Sequence, residues 1–378
     1  MLSINSNINS LVAQQNLNTS QSALSQAITR LSSGKRINSA ADDAAGLAIS
    51  NRMQTQINGL DQGVSNANDG VSMIQTASSG LAQITTSLQT IRQLAVQASS
   101  GSLSSSDQAA LQQEVAQQVA EVNRVASQTT YNGKNVLDGS AGNVSFQIGA
   151  NVGQTISLNL TQSLSAASLG GGVPQAGSTL TSITGVSLNA SGAATSSSPA
   201  ITTVNVLADG NGGFTFTDQN NQALSSTAAT ALFGSATTGS ATTPVALTLA
   251  GTGAFASGTA ITASIATANA LNTPPTVSAV NVSTTQGANA AMESIDNALQ
   301  TVNNIQATLG AAQNRFTSIS SAQQSQSTDL SGAQSQITDA DFAQETANLS
   351  KAQVLQQAGI SVLAQANSLP QQVLKLLQ

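Results

Sequence analysis

The side chains that could carry out chemistry are few in this sequence and poorly spaced for it. Cys and His are both absent, which removes thiol and imidazole nucleophiles, a histidine general base and nearly all zinc, copper and haem ligation. Glu114 and Glu121 would share one helix face, which is expected to be a solvated surface rather than an acid–base pair. Asp42 and Asp43 suit the positive end of a helix dipole. The sequence therefore predicts that the protein is not an enzyme.

Ligand and membrane motifs are missing as well. The glycines at 170–172 lack the Lys and the Ser or Thr of a phosphate-binding loop. Charged residues make up only 7% of the chain and the net charge is −6, which argues against nucleic-acid binding. No window is apolar over the roughly 18 residues of a membrane span, and residues 1–20 lack the basic and apolar regions of a secretory signal peptide. No cofactor, metal, nucleic acid or membrane partner is expected.

The elements that could organise such a chain are long amphipathic helices. Apolar residues from 288 to 337 alternate three and four apart, the spacing of a coiled-coil helix, which would be about 75 Å long. A matching series from 74 to 98 offers a partner. The predicted core of this pair comprises Ile74, Leu81, Ile84, Leu88, Ile91, Ile295, Val302, Ile305, Leu309 and Phe316.

The two chain ends carry similar stripes. Residues 1–33 predict a helix that ends at Gly34 in a left-handed cap. A last helix is expected to begin after Thr338 as N-cap, with Asp341 at its third position, and to kink at Pro370. Neither helix would be stable alone in water, so both are expected to bury themselves in other copies of the chain. The predicted polymerisation seam comprises Ile4, Ile8, Leu11, Leu24, Ile28, Leu31, Leu355, Val362, Leu369 and Leu376.

The remaining pattern places shorter elements between these helices. Ser39 is the expected N-cap of a helix from Ala40, with Asp42 completing a capping box. The sequence Asn-Asp-Gly at 68–70 is expected to interrupt the helix before a new one at 71–100. A third helix is predicted over 107–127. Alternating residues at 144–148 and 156–160 then predict a β-hairpin.

The character of the chain changes between about 165 and 282. Five of the six prolines lie there, with abundant Ser, Thr, Ala and Gly. Short alternating runs at 204–206, 214–216, 245–249 and 261–265 predict strands of a small inserted domain. Disorder is the competing interpretation, although low-complexity disorder seldom carries such alternation.

The predicted fold class is mainly α. It has a long antiparallel coiled-coil rod formed by the N- and C-terminal regions, a small β-hairpin and an inserted β-rich variable domain. We expect three domains. Residues 1–38 with 340–378 form a terminal coiled-coil polymerisation domain, 39–165 with 283–339 form a helical rod domain that carries the hairpin, and 166–282 form a variable outer domain.

Several segments closely resemble bacterial flagellins. They are residues 31–46 (LSSGKRINSAADDAAG), 66–70 (NANDG), 94–97 (LAVQ), 354–359 (VLQQAG) and 361–367 (SVLAQAN). The resemblance covers roughly 1–165 and 283–378, and leaves out the middle, where flagellins vary. It implies a structural subunit that polymerises head-to-tail, through contacts that do not close, into the helical filament of the bacterial flagellum.

The resemblance also implies a life history and partners. Flagellins are exported unfolded by the flagellar type III apparatus, without a cleaved signal peptide and with an export chaperone. They polymerise outside the cell under a cap, beyond hook-associated proteins. The terminal helices form the inner coiled-coil layer, and the filament is the propeller for motility. The absence of Cys suits a chain that must stay free of disulfides in a narrow channel.

The resemblance also implies one surface, on the rod domain of flagellins, that a vertebrate Toll-like receptor recognises. Gln89, Arg92, Leu94 and Glu114 match that surface here, as the resemblance implies. Thr90 stands where recognised flagellins commonly carry Arg, and a hydroxyl does not replace the planar donors of a guanidinium.

Three other interpretations were weighed. The nearest is the hook–filament junction protein, a flagellin relative with the same terminal design and usually weaker end motifs. A coiled-coil adhesin would need a signal peptide or an anchor. An enzyme in the middle region would have only the carboxylates of Asp209 and Asp218 and no basic residue.

Overall fold

The computed structural model describes residues 7–174, 176–189, 193, 195, 199–234, 244–250 and 258–376, with side chains undescribed at 258–260 and 369–376. Its helices are α1 (Ile8–Ser33), α2 (Ala44–Ala98), α3 (Ser105–Gln128), α4 (Ser226–Phe233), α5 (Gly258–Asn272), α6 (Thr285–Thr338) and α7 (Phe342–Leu376). Its strands are β1 (Thr130–Tyr131), β2 (Lys134–Asn135), β3 (Gly142–Gln147), β4 (Thr155–Leu160), β5 (Thr179–Leu188), β6 (Ile201–Ala208) and β7 (Phe214–Asp218). The mainly α class, with long helices at both chain ends, is confirmed.

The chain divides into two compact units. Unit 1 comprises Met1–Ala67, Gln147–Thr155 and Ser318–Gln378, and unit 2 comprises Asn68–Phe146 and Ile156–Thr317. The long helices α2 and α6 each contribute a segment to both units. Each unit is therefore described by its own packing.

The helical core of unit 2 combines branched and aromatic side chains of α2 and α6 with fully buried alanines such as Ala77 and Ala298. Of the ten residues expected there, nine are buried, at 2% exposure or less, and Ile305 is partly buried. Arg92 on α2 pairs with Asp296 on α6, with nitrogen–oxygen distances of 2.6 and 3.1 Å. At the other end of the α6 segment, the Phe316 ring meets Phe146 of β3 edge-on, with ring centroids 5.3 Å apart.

The expected helix break at 68–70 is wrong, because α2 runs unbroken through 55 residues. Gly70 has a packing role instead. A Cβ atom built on Gly70 would lie 2.5 Å from Cε1 of Phe316, so only glycine lets that ring pack against the helix backbone. The cost of a glycine in a helix interior, about 1 kcal/mol relative to alanine, is offset by burial of a whole aromatic ring.

The segments of α2 and α6 in unit 1 meet through polar groups. Ser327 donates to Asp61 over 2.8 Å, and the Gln334 amide donates to the carbonyl oxygen and the hydroxyl of Ser50. Ser50, Gln323 and Ser327 are all buried. In this part of the helix pair, hydroxyls and amides therefore add to the buried hydrocarbon of Ile57 and Leu60 on α2.

Both helix starts beside the chain connectors differ from expectation. Helix α2 begins at Ala44, where Asp43 accepts from the Gly46 amide, so Ser39 is not its N-cap. Asp42 instead accepts hydrogen bonds from the Asn38 and Ser39 amides, which, led by the bond from Asn38, lower the pKa of its carboxyl.

Helix α7 begins at Phe342. Its cap is Asp341, which accepts from the Ala343 and Gln344 amides, whereas Thr338 is the last residue of α6. The predicted cap is wrong, because Thr338 still belongs to the last turn of α6 and α7 begins after it. The helix continues past Pro370 to Leu376, and a kink there stays a prediction. The left-handed cap at Gly34, with φ of 70°, is confirmed.

The predicted hairpin is confirmed as the two-stranded sheet of β3 and β4. A second small hairpin, β1 and β2, was not predicted. Its turn uses Asn132 and Gly133 with φ of 48° and 76°, the left-handed pair that favours a tight two-residue hairpin turn.

The inserted region contains an antiparallel sheet in the order β5-β6-β7 packed with α4 and α5. Its core includes Ile183, Val206 and Phe233, with Phe216 stacked on Phe233 at a centroid distance of 4.6 Å. The runs at 204–206 and 214–216 are strands, as expected. The run at 261–265 is wrong as a strand, because it belongs to α5, and the run at 245–249 is wrong as well, because it is neither strand nor helix.

Asparagine side chains take the place of a strand beside residues 244–250. Asn269 of α5 accepts from the Leu247 amide at 2.6 Å and donates to the Leu247 carbonyl at 3.0 Å. Asn272 donates to the Val245 carbonyl at 3.3 Å. Because a primary amide offers the same donor and acceptor as a peptide, the segment is satisfied without joining the sheet.

Candidate self-association surface

The terminal helix pair, α1 and α7, packs antiparallel within unit 1. At one end, the Asn7 amide donates to the Ala366 carbonyl at 2.8 Å and Ser10 donates to Asn367 at 2.7 Å. At the other end, Arg30 forms an ion pair with Glu345 at 3.2 Å, and the Glu345 side chain is only 9% exposed. These contacts at both ends fix the register of the pair.

The buried face of the terminal helix pair is made mostly of small side chains. Its buried apolar residues are Ala13, Leu24, Ala27, Ala352 and Ala366. Alanines let two helix backbones approach closely, but they bury little hydrocarbon. The contact within the pair therefore leaves most of its large apolar side chains uncovered.

The exposed face carries those large apolar side chains. On α1, Leu11 is 67% exposed and Ile8 is 62% exposed, and on α7 Val354 is 69% exposed. The exposed set on the two helices is Ile8, Leu11, Val12, Ile28, Phe342, Val354, Leu355, Ile360 and Val362. It includes most of the exposed large apolar residues in the described part of the chain. Apolar surface concentrated in this way marks an interaction site.

The residues of the predicted polymerisation seam fall into three groups. Ile8, Leu11, Ile28, Leu355 and Val362 lie on the exposed face. Leu24 is buried in the pair and Leu31 is partly buried. The remaining three lie outside the described residues or side chains: Ile4, Leu369 and Leu376.

Sequence reasoning missed four members of the exposed set: Val12, Phe342, Val354 and Ile360. The signal that could have found two of them is the adjacent pairs Leu11-Val12 and Val354-Leu355. Neighbouring residues on a helix are about 100° apart, so two apolar neighbours extend the stripe beyond one seam. A helix with so wide an apolar surface needs cover on more than one side.

The surface expected from the receptor resemblance is only partly brought together. Gln89, Arg92 and Glu114 are exposed, but Leu94 is buried at 8% exposure. The Arg92 guanidinium is held by Asp296, and this hydrogen bond and charge raise the pKa of Arg92. Gln89, Thr90 and Arg92 line one shallow groove with Val96.

Two other features are absent from the described residues. No cluster of three or more His, Cys, Asp or Glu residues there is arranged to hold a metal ion. Among the described helices, none combines the length and the apolarity that crossing a membrane requires.

Comparison with known proteins decides the family. The model of the bacterial flagellin N-terminal helical region matches residues 4–142, and that of the C-terminal helical region matches 292–377. The chain is 38% identical to the B-type flagellin of Pseudomonas aeruginosa PAO1 over the full length of both proteins. The chain belongs to the bacterial flagellin family.

Other relatives agree. Flagellin B of Vibrio cholerae is 36% identical over 100% of this chain and 99% of its own length. The solved structure of FliC from Burkholderia pseudomallei is 62% identical, covers 65% of this chain and 100% of that chain, and superposes with a TM-score of 0.60. The flagellin D2 domain matches residues 172–273, within the inserted region. As a flagellin, the chain is a subunit of the flagellar filament.

Proposed function

We propose that this flagellin polymerises head-to-tail through its terminal helix pair into a helical filament that acts as the propeller for motility. The observation that carries the proposal is the packing of the pair, in which mostly small alanines are buried and large branched and aromatic residues are exposed. Covering a half-exposed Leu, Ile or Val contributes about 1 kcal/mol. Eight such residues and Phe342 can together offset the entropy lost on association.

The rest of the chain is assigned roles around this contact. Residues 1–38 with 340–378 would be the polymerisation domain, 39–165 with 283–339 the rod, and 166–282 an outer domain. The D2 match within the inserted region and the separate core of that region support the last assignment. Because the contact of one subunit with the next is heterologous, addition can continue without closure.

Export and partners follow from family membership. The chain would leave the cell unfolded through the flagellar type III apparatus, without a cleaved signal peptide and with an export chaperone. It would assemble outside the cell under a cap and beyond hook-associated proteins. A sequence with no Cys supports this route, because disulfides would hinder passage through a narrow channel.

Recognition by a vertebrate Toll-like receptor is a further proposal, carried by Gln89, Arg92 and Glu114. Leu94 would act by packing beneath them rather than by contact. Since Arg92 is already paired with Asp296, a receptor carboxylate would have to share or replace that partner. A receptor reporter assay that responds equally to wild type and to Arg92→Gln would count against this surface.

The second candidate function is the hook–filament junction protein. The named full-length relatives are flagellins, which favours the filament subunit. Electron microscopy separates the two, because a filament subunit elongates alone from seeds into long filaments.

The central experiment replaces exposed apolar residues by an uncharged polar one. Leu11→Gln and Val354→Gln should leave the circular dichroism and thermal midpoint of the monomer nearly unchanged, and should abolish elongation from filament seeds. Thr19→Gln, at an exposed polar position of α1, introduces the same side chain and should elongate normally. Wild-type elongation rates for both apolar variants would show that the terminal helix pair is not the assembly surface.

A further inference from the structure

The two connectors of unit 1 lie side by side. One joins α1 to α2 and the other joins α6 to α7. Lys35 and Asp339 form an antiparallel bridge between them. The Ala340 amide donates to the Gly34 carbonyl at 2.9 Å, and the Arg36 amide donates to the Thr338 carbonyl at 2.7 Å. The two connectors are therefore hydrogen-bonded to each other where each leaves its helix.

Among the described residues, Arg36 makes the only hydrogen bond from a side chain of one connector to the end of α6. Its guanidinium donates to the Ile337 carbonyl at 2.6 Å, while its own amide takes the Thr338 carbonyl. The last four carbonyls of a helix have no partner within the helix and carry its negative dipole end. One residue thus satisfies two of them on α6 with one charged and one neutral donor.

The rest of the α1–α2 connector is internally braced. Asn38 donates to the Ser33 hydroxyl at 2.7 Å, and Asp42 accepts from the Ser39 amide and hydroxyl. Ile37, which directly follows Arg36, is 4% exposed. A connector with a buried apolar residue and paired polar groups is a fixed bend rather than a free hinge. Arg36 therefore holds the end of α6 at a defined position relative to this connector.

We infer that Arg36 is a positioning residue for assembly, which locks the connector of the terminal helix pair onto the end of α6. The lock would present the exposed faces of α1 and α7 in one orientation to the next subunit. A subunit oriented before it binds loses less conformational freedom on addition. This inference rests on the proposed polymerisation through the terminal helix pair. It names a residue that positions this pair for polymerisation.

The test compares Arg36→Gln with Arg52→Gln in the full-length chain. Arg52 is exposed on α2 in the same unit, and no hydrogen bond or ion pair is described for it, so the pair is matched in residue type and charge change. In Arg36→Gln, exchange of the Ala340 amide proton should quicken about tenfold, as loss of a charge-assisted hydrogen bond implies. Elongation from wild-type seeds should slow by roughly tenfold, and the waveform should change.

Arg36→Lys supplies the rescue. It keeps the charge and one donor and should recover part of the elongation rate, whereas Arg52→Gln should match wild type in every measurement. A merely structural role would lower the thermal midpoint of the monomer and leave elongation rate and waveform unchanged, and that result would overturn the inference. If wild type itself fails to elongate, the proposed function falls and the inference with it. If wild type elongates and Arg36→Gln equals it, the inference alone falls.

Discussion

The helical core of unit 2 and the terminal helix pair share one apolar spacing and differ in what covers it. In unit 2, Leu88, Ile295 and Phe316 are fully buried within the chain. In the terminal helix pair, Leu11 and Val354 carry the same stripe and are 67% and 69% exposed. The difference arises at the buried positions, where unit 2 interlocks branched and aromatic side chains among its alanines, whereas the terminal pair buries four alanines and a single leucine. An apolar stripe therefore predicts a partner, and the size of the facing residues decides whether that partner is the same chain.

The largest expected effect contrasts two leucine truncations. Leu309→Ala removes a side chain that is 2% exposed in unit 2 and should lower the free energy of unfolding of the monomer by about 2–5 kcal/mol. Leu355→Ala, at 48% exposure on α7, should cost the monomer about 0.5 kcal/mol or less and slow filament elongation. Thermal melts and seeded elongation measure both.

A surface control sharpens this contrast. Gln313→Ala, on the same helix as Leu309 and only partly buried, should stay within about 0.5 kcal/mol of wild type. Equal melting temperatures for Leu309→Ala and Gln313→Ala would show that the apolar register of α6 does not stabilise unit 2.

Glycine replacements probe how tightly each region is packed. Gly70→Ala places a methyl group 2.5 Å from the Phe316 ring and should destabilise the monomer by about 1–3 kcal/mol. At Gly359 the nearest atom is the flexible end of Leu17, 3.3 Å away, so alanine should be tolerated. Gly310→Ala, with nothing within 4 Å, should stabilise by up to about 1 kcal/mol. Chemical denaturation of the three monomers would contradict the packing difference if all three shift alike.

Helix caps offer a smaller test in each region. Ser104 caps α3 of unit 2 in a reciprocal capping box with Asp107, so Ser104→Ala should cost about 1 kcal/mol. Asn7 caps α1 and also donates to the Ala366 carbonyl. Asn7→Ala should therefore loosen the start of α1 and the segment of α7 around Ala366, measured as faster amide exchange in both. Exchange that quickens only at α1 would show that the Ala366 contact is dispensable.

The smallest effect is a pH dependence. The hydroxyl and amide of Ser104 lower the pKa of Asp107. A carboxyl with a lowered pKa in the folded state stabilises it above the ordinary value of 3.8. That stabilisation is lost as pH falls below 3.8 and through the folded pKa. Urea melts from about pH 5 to about pH 2 should show a shallower loss in Ser104→Ala. An unchanged slope would mean that this cap does not couple to protonation.

Sequence periodicity predicted the long elements well because each repeats its signal many times. The seam at 288–337 corresponds to α6 at Thr285–Thr338, and the hairpin is where the alternation placed it. Single local signals were less reliable. Asn-Asp-Gly at 68–70 has the composition of a turn and was therefore predicted to be a break. The glycine is required instead by the ring of Phe316, which is distant in sequence and which a local pattern cannot show.

Two strand predictions in the inserted region were wrong for a related reason. Ile261 and Ile265 were interpreted as alternating, but Ala268 and Leu271 continue the buried side at helical spacing, and a longer window would have shown it. The segment at 245–249 has true alternation, yet its hydrogen bonds join it to Asn269 and Asn272 on a helix and to the Gly212 carbonyl outside any strand. On the exposed face of the terminal helix pair, residue spacing identified one apolar stripe on each helix. It missed the neighbouring exposed residues, such as Val12 and Val354, because only the spacing of a single seam was matched.

The terminal helix pair is nearly free of charge, and this affects where a filament can work. Within α1 the only ionic side chain is Arg30, and it is already matched by Glu345 on α7. Dissolved ions largely screen the attraction between exposed charges that lie more than about 10 Å apart at 0.1 M salt, but they would have little to screen between copies joined through apolar side chains. If subunits join through the terminal helix pair as proposed, the joints should hold in fresh water as in brine, and a filament could pass through a salinity gradient intact.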